Sequence, residues 1–160
     1  TAVKGGEASD RAEKAAVDSM TRLNKAARDA ARDLRVHAAT DVTGFSLSGH
    51  SLEVAENSGV TVEIDTAKVP ILTEAEELAR FGFIPEGMYN NLDWVNGKIY
   101  YSPSIPLEKR DLMLDPQTSG GLLFFLPMED AETLVKRMDK DYVRIIGRVK
   151  KKGEYSVEFI

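Results

Sequence analysis

Cysteine is absent from the 160 residues, which excludes disulfides, thiolate metal sites and a cysteine nucleophile within this chain. Histidine occurs twice and tryptophan once. Basic residues are not in excess. The formal net charge of −5 argues against broad binding to nucleic acid. No apolar run approaches the ~20 residues of a membrane span, and no signal-peptide pattern is present; no membrane partner is expected, and the composition is compatible with a cytoplasmic protein. Internal repeats and low-complexity segments are also lacking. What remains is 42% hydrophobic and 29% charged, ordinary globular values. The length fits a single domain with a substantial core.

Two stretches carry candidate chemistry. The first is Ala38-Ala39-Thr40-Asp41-Val42-Thr43-Gly44-Phe45-Ser46-Leu47-Ser48-Gly49-His50, a carboxylate at a turn followed by small residues and an amphipathic helical pattern to Asn57. Asp41 could accept bonds from the free N–H groups of that helix start. The same carboxylate could instead hold a hard cation such as Mg²⁺, which prefers one or two carboxylates plus substrate phosphates, although on chemistry alone the capping role is the commoner one. Gly44, Ser46, Ser48 and Gly49 are poor choices for an isolated helix, but they let another backbone or a ligand come close. His50 is either a hydrogen-bonded packing residue or a functional one. The second stretch is Asp115-Pro116-Gln117-Thr118-Ser119-Gly120-Gly121-Leu122-Leu123. Thr118, Ser119, Gly120 and Gly121 offer hydroxyls and unshielded amides, suited to cradling an anion or phosphate or to a strained turn into a strand. Asp115 reads as a second acidic contact or as the turn's own Asx residue.

These two strings resemble the Thr-Asp-Val-Thr-Gly-Phe-Gly-Leu-x-Gly-His and Asp-Pro-Gln-Thr-Ser-Gly-Gly-Leu-Leu signatures of selenophosphate synthetases (selenide, water dikinases), in the same order. Ser46 stands where that family usually has glycine, a change that looks harmless because serine is also small. The resemblance covers only the family's C-terminal half. It implies the C-terminal fold of the aminoimidazole ribonucleotide synthetase superfamily, ATP as substrate, Mg²⁺, and conversion of ATP, selenide and water to selenophosphate, AMP and phosphate. It assigns Asp41 to the metal, with Thr40 and Thr43 as groups that fix its rotamer. It further implies that the activating lysine and the cysteine or selenocysteine lie in an N-terminal domain not present here, and that the full-length form is a homodimer. The chain opens without methionine on Thr1-Ala2-Val3-Lys4-Gly5-Gly6 and reads as a fragment, inactive alone. A sister enzyme of the superfamily, a non-enzymatic binding or dimerisation module, and a structural domain in which Asp41 only caps a helix are the competing readings.

Taken in order, residues 1–8 read as the end of an inter-domain connection with Gly5-Gly6 as its flexible point, and residues 9–160 as one domain. Asp10 and Glu13 suggest a capping box. Apolar residues from Ala12 to Leu34 recur at 3–4 spacing, predicting one helix of roughly 24 residues whose alanine face packs on a sheet. Val60 to Ile64 alternate as a half-buried strand, and Thr73 to Arg80 read as a short helix capped by Thr73 and Glu76. Residues 81–91 look like a loop. Asn96-Gly97, between Trp94-Val95 and Ile99-Tyr100-Tyr101, is a hairpin signal, and these aromatics serve core packing or base stacking. Leu122 to Leu126 predict a buried strand, Ala131 to Met138 a helix, and Val143–Val149 and Tyr155–Ile160 two strands joined by a solvated Lys150-Lys151-Lys152-Gly153 turn. The mixture predicts an α+β fold, helices packed on a mixed or antiparallel sheet.

Overall fold

A computed structural model describes residues 1–138 and 142–160. The centre is a four-stranded sheet of order β3-β6-β2-β5, built from β2 (Val60–Ile64), β3 (Ile99–Tyr101), β5 (Gly147–Lys151) and β6 (Val157–Phe159). β5 runs antiparallel to β2, whereas β6 is parallel to both β2 and β3. A separate two-stranded antiparallel ladder pairs β1 (Ala38–Asp41) with β4 (Leu122–Phe125). Helices α4 (Ser46–Ser58), α6 (Glu86–Val95) and α7 (Leu107–Leu114) pack on the larger sheet. The remaining helices are α1 (Ala2–Gly5), α2 (Asp10–Thr21), α3 (Lys25–Ala31), α5 (Ala75–Arg80) and α8 (Met128–Arg137). This is the α+β arrangement with a mixed sheet that the sequence predicts.

The core follows from the apolar spacing. Leu52 and Ala55 on α4 meet Val62 and Ile64 of β2, Val157 and Phe159 of β6, Met88 and Val95 of α6, and Met113 and Leu114 of α7. Helix α4 stops where Gly59 takes φ 63°, and its amide donates to the carbonyl of Glu56, the left-handed cap expected at Asn57-Ser58-Gly59. β2 alternates as predicted, except that Thr61 is also buried. Its hydroxyl donates to the Tyr155 carbonyl at 2.6 Å and accepts from the Gly153 amide at 2.9 Å.

Several expectations need correction. The 24-residue helix is two helices, broken at 22–24. Thr21 bonds back to the Val17 carbonyl at 2.9 Å, and the Asn24 amide group is captured by the Gly120 carbonyl at 2.9 Å, so a distant tertiary contact overrides a continuous apolar period. The second half of that helix, α3, packs against α8. Ser9, not Asp10, is the N-cap of α2, accepting from the Ala12 amide. α5 begins at Ala75 with no side-chain cap, so the Thr73–Glu76 pair does not form. Residues 86–95 are helical, with Met88, Asn91 and Val95 buried at helical spacing, and Gly97 (φ 76°) turns the chain after that helix instead of making a hairpin. The Gly5-Gly6 pair closes the short α1, with Gly6 in the left-handed region.

β5 and β6 do not pair with each other either. They flank β2, because the connection between them is tied to Thr61 and the Val62 amide donates to Ser156. The first of them begins at Gly147, where a Cβ would lie 2.1 Å from the Glu63 carbonyl oxygen. Lys150 and Lys151 belong to this strand and not to a solvated turn, and Lys150 bridges Glu158 at 2.6 Å and Glu63 at 3.0 Å. β4 is half-buried along its length, because a two-stranded ladder has no second layer to cover both faces.

Leu52 is fully buried between α4 and the sheet. Leu52→Ala should lower stability by about 2–5 kcal/mol, read as a fall in the urea midpoint with an unchanged slope.

Candidate functional site

The two motif stretches lie against each other. β1 and β4 pair with Asp41 opposite Leu122 and Thr40 opposite Leu123. Beyond the ladder the Val42 amide donates to the Gly121 carbonyl at 2.9 Å, and the Gln117 amide donates to the Thr43 carbonyl at 3.0 Å. A Cβ on Gly120 would sit 2.0 Å from the Val42 carbonyl oxygen. Only glycine lets the backbones approach this far. Two asparagines fasten the junction from outside the motifs. The buried Asn91 donates its amide to both the Gly44 and Leu114 carbonyls at 2.9 Å, and Asn24 holds the Gly120 carbonyl. Neither drew notice in the sequence as a functional residue; only their contacts identify them.

Asp41 is exposed at the end of β1, and its carboxylate has no hydrogen-bond partner among the described residues. It does not cap α4, which starts at Ser46 with Phe45 as a capless N-terminal neighbour. The helix-capping reading of Asp41 is therefore corrected: β1 carries it to the junction, four residues short of the helix. Thr40 donates its hydroxyl to the Asp41 carbonyl at 3.1 Å, and Thr43 faces the Nε2 of His50 at 3.2 Å. Neither threonine is bonded to the Asp41 carboxylate, so the structure supplies no hydrogen bond by which they would fix its rotamer.

Asp115 is half-buried at the end of α7, and burial pushes its carboxyl up, against the pull of the Gln117 side chain. Gln117 Nε2 bonds both its carbonyl and its carboxylate at 3.0 Å. The amides of Thr118, Ser119, Gly120 and Gly121 have no acceptor among the described residues. Ser119 takes φ 52°, one of the two backbone conformations that make successive amides converge into a nest for an anion.

The small residues of α4 admit the protein's own groups. Ser48 accepts and donates between the Tyr101 hydroxyl (2.9 Å) and the Met113 carbonyl (2.8 Å). A Cβ on Gly49 would meet the Trp94 ring at 2.9 Å. Tyr101 lies flat on Phe159 with centroids 5.0 Å apart, and burial pushes its phenol up to about 12. Trp94 stacks on Phe45 at 5.2 Å, and both rings are about half exposed. Ser46 takes φ 67° while fully buried. Its departure from glycine thus matters for backbone conformation, not for size, and small volume was the wrong criterion.

Among the described residues no three His, Asp or Glu side chains form a metal-holding group. The donor set at the junction still fits a hard cation shared with a substrate, since Mg²⁺ takes one or two protein carboxylates and completes its shell with phosphates and water. An accessible carboxylate without competing partners meets that requirement.

The whole chain, residues 1–160, matches the family described as AIR synthase related protein, C-terminal domain; the chain belongs to this family. It is 46% identical over 137 residues to a selenide, water dikinase of Clostridium botulinum (84% of this chain, 40% of the relative). It is 43% identical over 160 residues to one from Caldanaerobacter subterraneus subsp. tengcongensis, and 39% over 160 to selenide, water dikinase 2 of Peptoclostridium acidaminophilum, covering 98% of this chain and 46% of each relative. The chain thus spans less than half the length of these relatives. The resemblance that the two motifs carry is borne out. No described helix is long and apolar enough to cross a membrane.

Three substitutions at two positions test the junction. Ser46→Gly should stabilise the chain by about 0.5–1 kcal/mol, because a non-glycine residue in the left-handed region costs about 1–2 kcal/mol and glycine returns part of that as chain entropy. Ser46→Ala, still at positive φ, should show no such gain in thermal or urea unfolding. Gly120→Ala should separate the two loops, seen as large shifts of the Val42, Thr43 and Gln117 amides in NMR spectra.

Proposed function

We propose that this chain is the C-terminal part of a selenide, water dikinase and supplies one side of its Mg²⁺–ATP site, for the conversion of ATP, selenide and water to selenophosphate, AMP and phosphate. The observation that carries the reading is the free Asp41 carboxylate at the point where the two motif loops are bonded together. The names of these relatives support the enzyme class.

In this reading Asp41 holds the cation and the amides of Thr118 to Gly121 receive phosphate oxygens. Bound Mg²⁺ would neutralise charge on the phosphates, the principal need of phosphoryl transfer. Gly120, Asn91 and Asn24 keep the carboxylate and the amide loop in fixed relation, so neither has to reorganise as charge develops. Asp115, tied to Gln117, holds the start of that loop. The N-terminal domain of the same polypeptide would contribute the remaining carboxylates and the nucleophile, so the isolated chain should not turn over. Residues 1–8 would connect the two domains, and the full-length protein would be a cytoplasmic homodimer.

The test uses the full-length polypeptide, wild type beside Asp41→Asn, with AMP and selenophosphate followed by phosphorus NMR across Mg²⁺ concentrations. Selenide-dependent turnover should fall roughly 10²–10³-fold in the variant while its unfolding free energy stays within about 0.5 kcal/mol of wild type. Equal turnover in both proteins removes Asp41 from the metal site. Absence of selenide-dependent product from the folded wild type would move the assignment to a sister enzyme or a binding module.

A further inference from the structure

The buried His50 has a use that neither the motif reading nor the proposed reaction assigns. It is 7% exposed and bonded on both ring nitrogens: Nδ1 lies 3.0 Å from Glu53 Oε2, and Nε2 lies 3.2 Å from Thr43 Oγ1. An ionised carboxylate only accepts, so the Glu53 contact places the proton on Nδ1. In the neutral ring Nε2 is then an acceptor, and the Thr43 hydroxyl must donate to it. The hydroxyl's single proton is committed inward. Its lone pairs alone are left for anything that approaches the loop between Asp41 and α4.

Thr43 is fixed in other respects too. Its carbonyl accepts from the amides of Ser46 (2.9 Å) and Gln117 (3.0 Å), so the residue is held by both motif stretches at once. Phe45 covers the imidazole edge-on at 5.9 Å. The relay thus runs from a surface carboxylate on α4, through a buried ring, to a hydroxyl two residues from Asp41.

We propose that His50, oriented by Glu53, is a positioning residue that makes the Thr43 hydroxyl, two residues along the chain from Asp41, an acceptor-only oxygen, suited to the protons of a hydrated divalent cation and hostile to a bare anion. The inference rests on the metal reading of Asp41 given above. Mg²⁺ keeps several of its waters when bound by few carboxylates, and those waters need acceptors. A hydroxyl free to rotate would offer its proton to them part of the time. Partners of this kind orient metal sites without touching the ion.

Two measurements decide the matter. Nitrogen-15 NMR of this chain should show His50 as the Nδ1–H tautomer, and Glu53→Ala, a change on the outer side of α4, should move it toward Nε2–H. In the full-length polypeptide, Mn²⁺ titration followed by electron paramagnetic resonance should give roughly 10-fold weaker binding for Glu53→Ala and for Thr43→Val. The double variant should lose no more than either alone, because both act through one hydroxyl. An Nε2–H tautomer in the wild type, additive losses, or unchanged Mn²⁺ affinity in folded Glu53→Ala overturns the proposal. Asp41→Asn separates the two ideas. Unchanged Mn²⁺ affinity there would overturn the metal reading, whereas the tautomer of His50 is read without any metal and decides the polarity of Thr43 by itself.

Discussion

The contact between Gly120 and the Val42 carbonyl is the constraint on which the site depends. With 2.0 Å between that oxygen and where a Cβ would stand, no side chain can separate the two loops. Their backbones therefore bond directly, Val42 to Gly121 and Gln117 to Thr43. Such an approach spends the inward-facing peptide groups on each other. It leaves the outward ones, the Asp41 carboxylate and the amides of residues 118–121, without protein partners among the described residues. A residue with a Cβ at position 120 would push the loops apart and release both sets at once.

Holding this junction has a local cost that the rest of the fold offsets. Ser46, Glu74 and Ser119 are the non-glycine residues at positive φ among those described, and two of them belong to the motif stretches. Each is disfavoured by about 1–2 kcal/mol. Backbone strain of this kind persists only where surrounding structure over-determines it. Here the surroundings are α4, α6 and α7, clamped on the sheet by Leu52, Met88, Leu114 and Phe159, with Asn91 spanning Gly44 and Leu114 through a single amide group. The polar side of α4 is satisfied in the same way: Ser48 by Tyr101 and Met113, and His50 by Thr43 and Glu53.

Much of this was legible in the sequence, and the failures have physical causes. β2, α4 with its Gly59 cap, β4 and the α+β class follow from apolar period and turn chemistry, which are local. The helix read through Arg22 to Asn24 failed because Asn24 answers to Gly120, 96 residues away, and no local pattern encodes that. Asn96-Gly97 signals a left-handed turn correctly, but the same conformation ends a helix as readily as it joins strands. Closeness in sequence makes Val143–Val149 and Tyr155–Ile160 look like joined neighbours; β2 lies between their strands because Thr61 and Val62 bind the connection. Both motif strings were visible, and so was the flexibility that their glycines allow. That Gly120 is there for contact, and that Ser46 sits at a φ which favours glycine, could not be read from composition.

The proposed reading also explains why one ladder serves both ends of a phosphate complex. A cation ligand and a set of anion-binding amides placed side by side without rigid spacing would attract each other's targets indiscriminately. β1 and β4 prevent this by register. Asp41 stands opposite Leu122, one residue beyond Gly121, so the carboxylate and the amide loop emerge at the same end of the ladder but from different strands. Their separation is set by backbone hydrogen bonds and not by side-chain rotamers, which makes it insensitive to the flexibility of Asp41 itself. A site built this way needs few charged residues of its own. In that reading it positions one negative group and several neutral donors, and would leave the remaining charge to be brought by the substrate, the cation and another domain. That division accounts for a fold whose most conspicuous motifs contain only two carboxylates, one of them, Asp115, already engaged by Gln117.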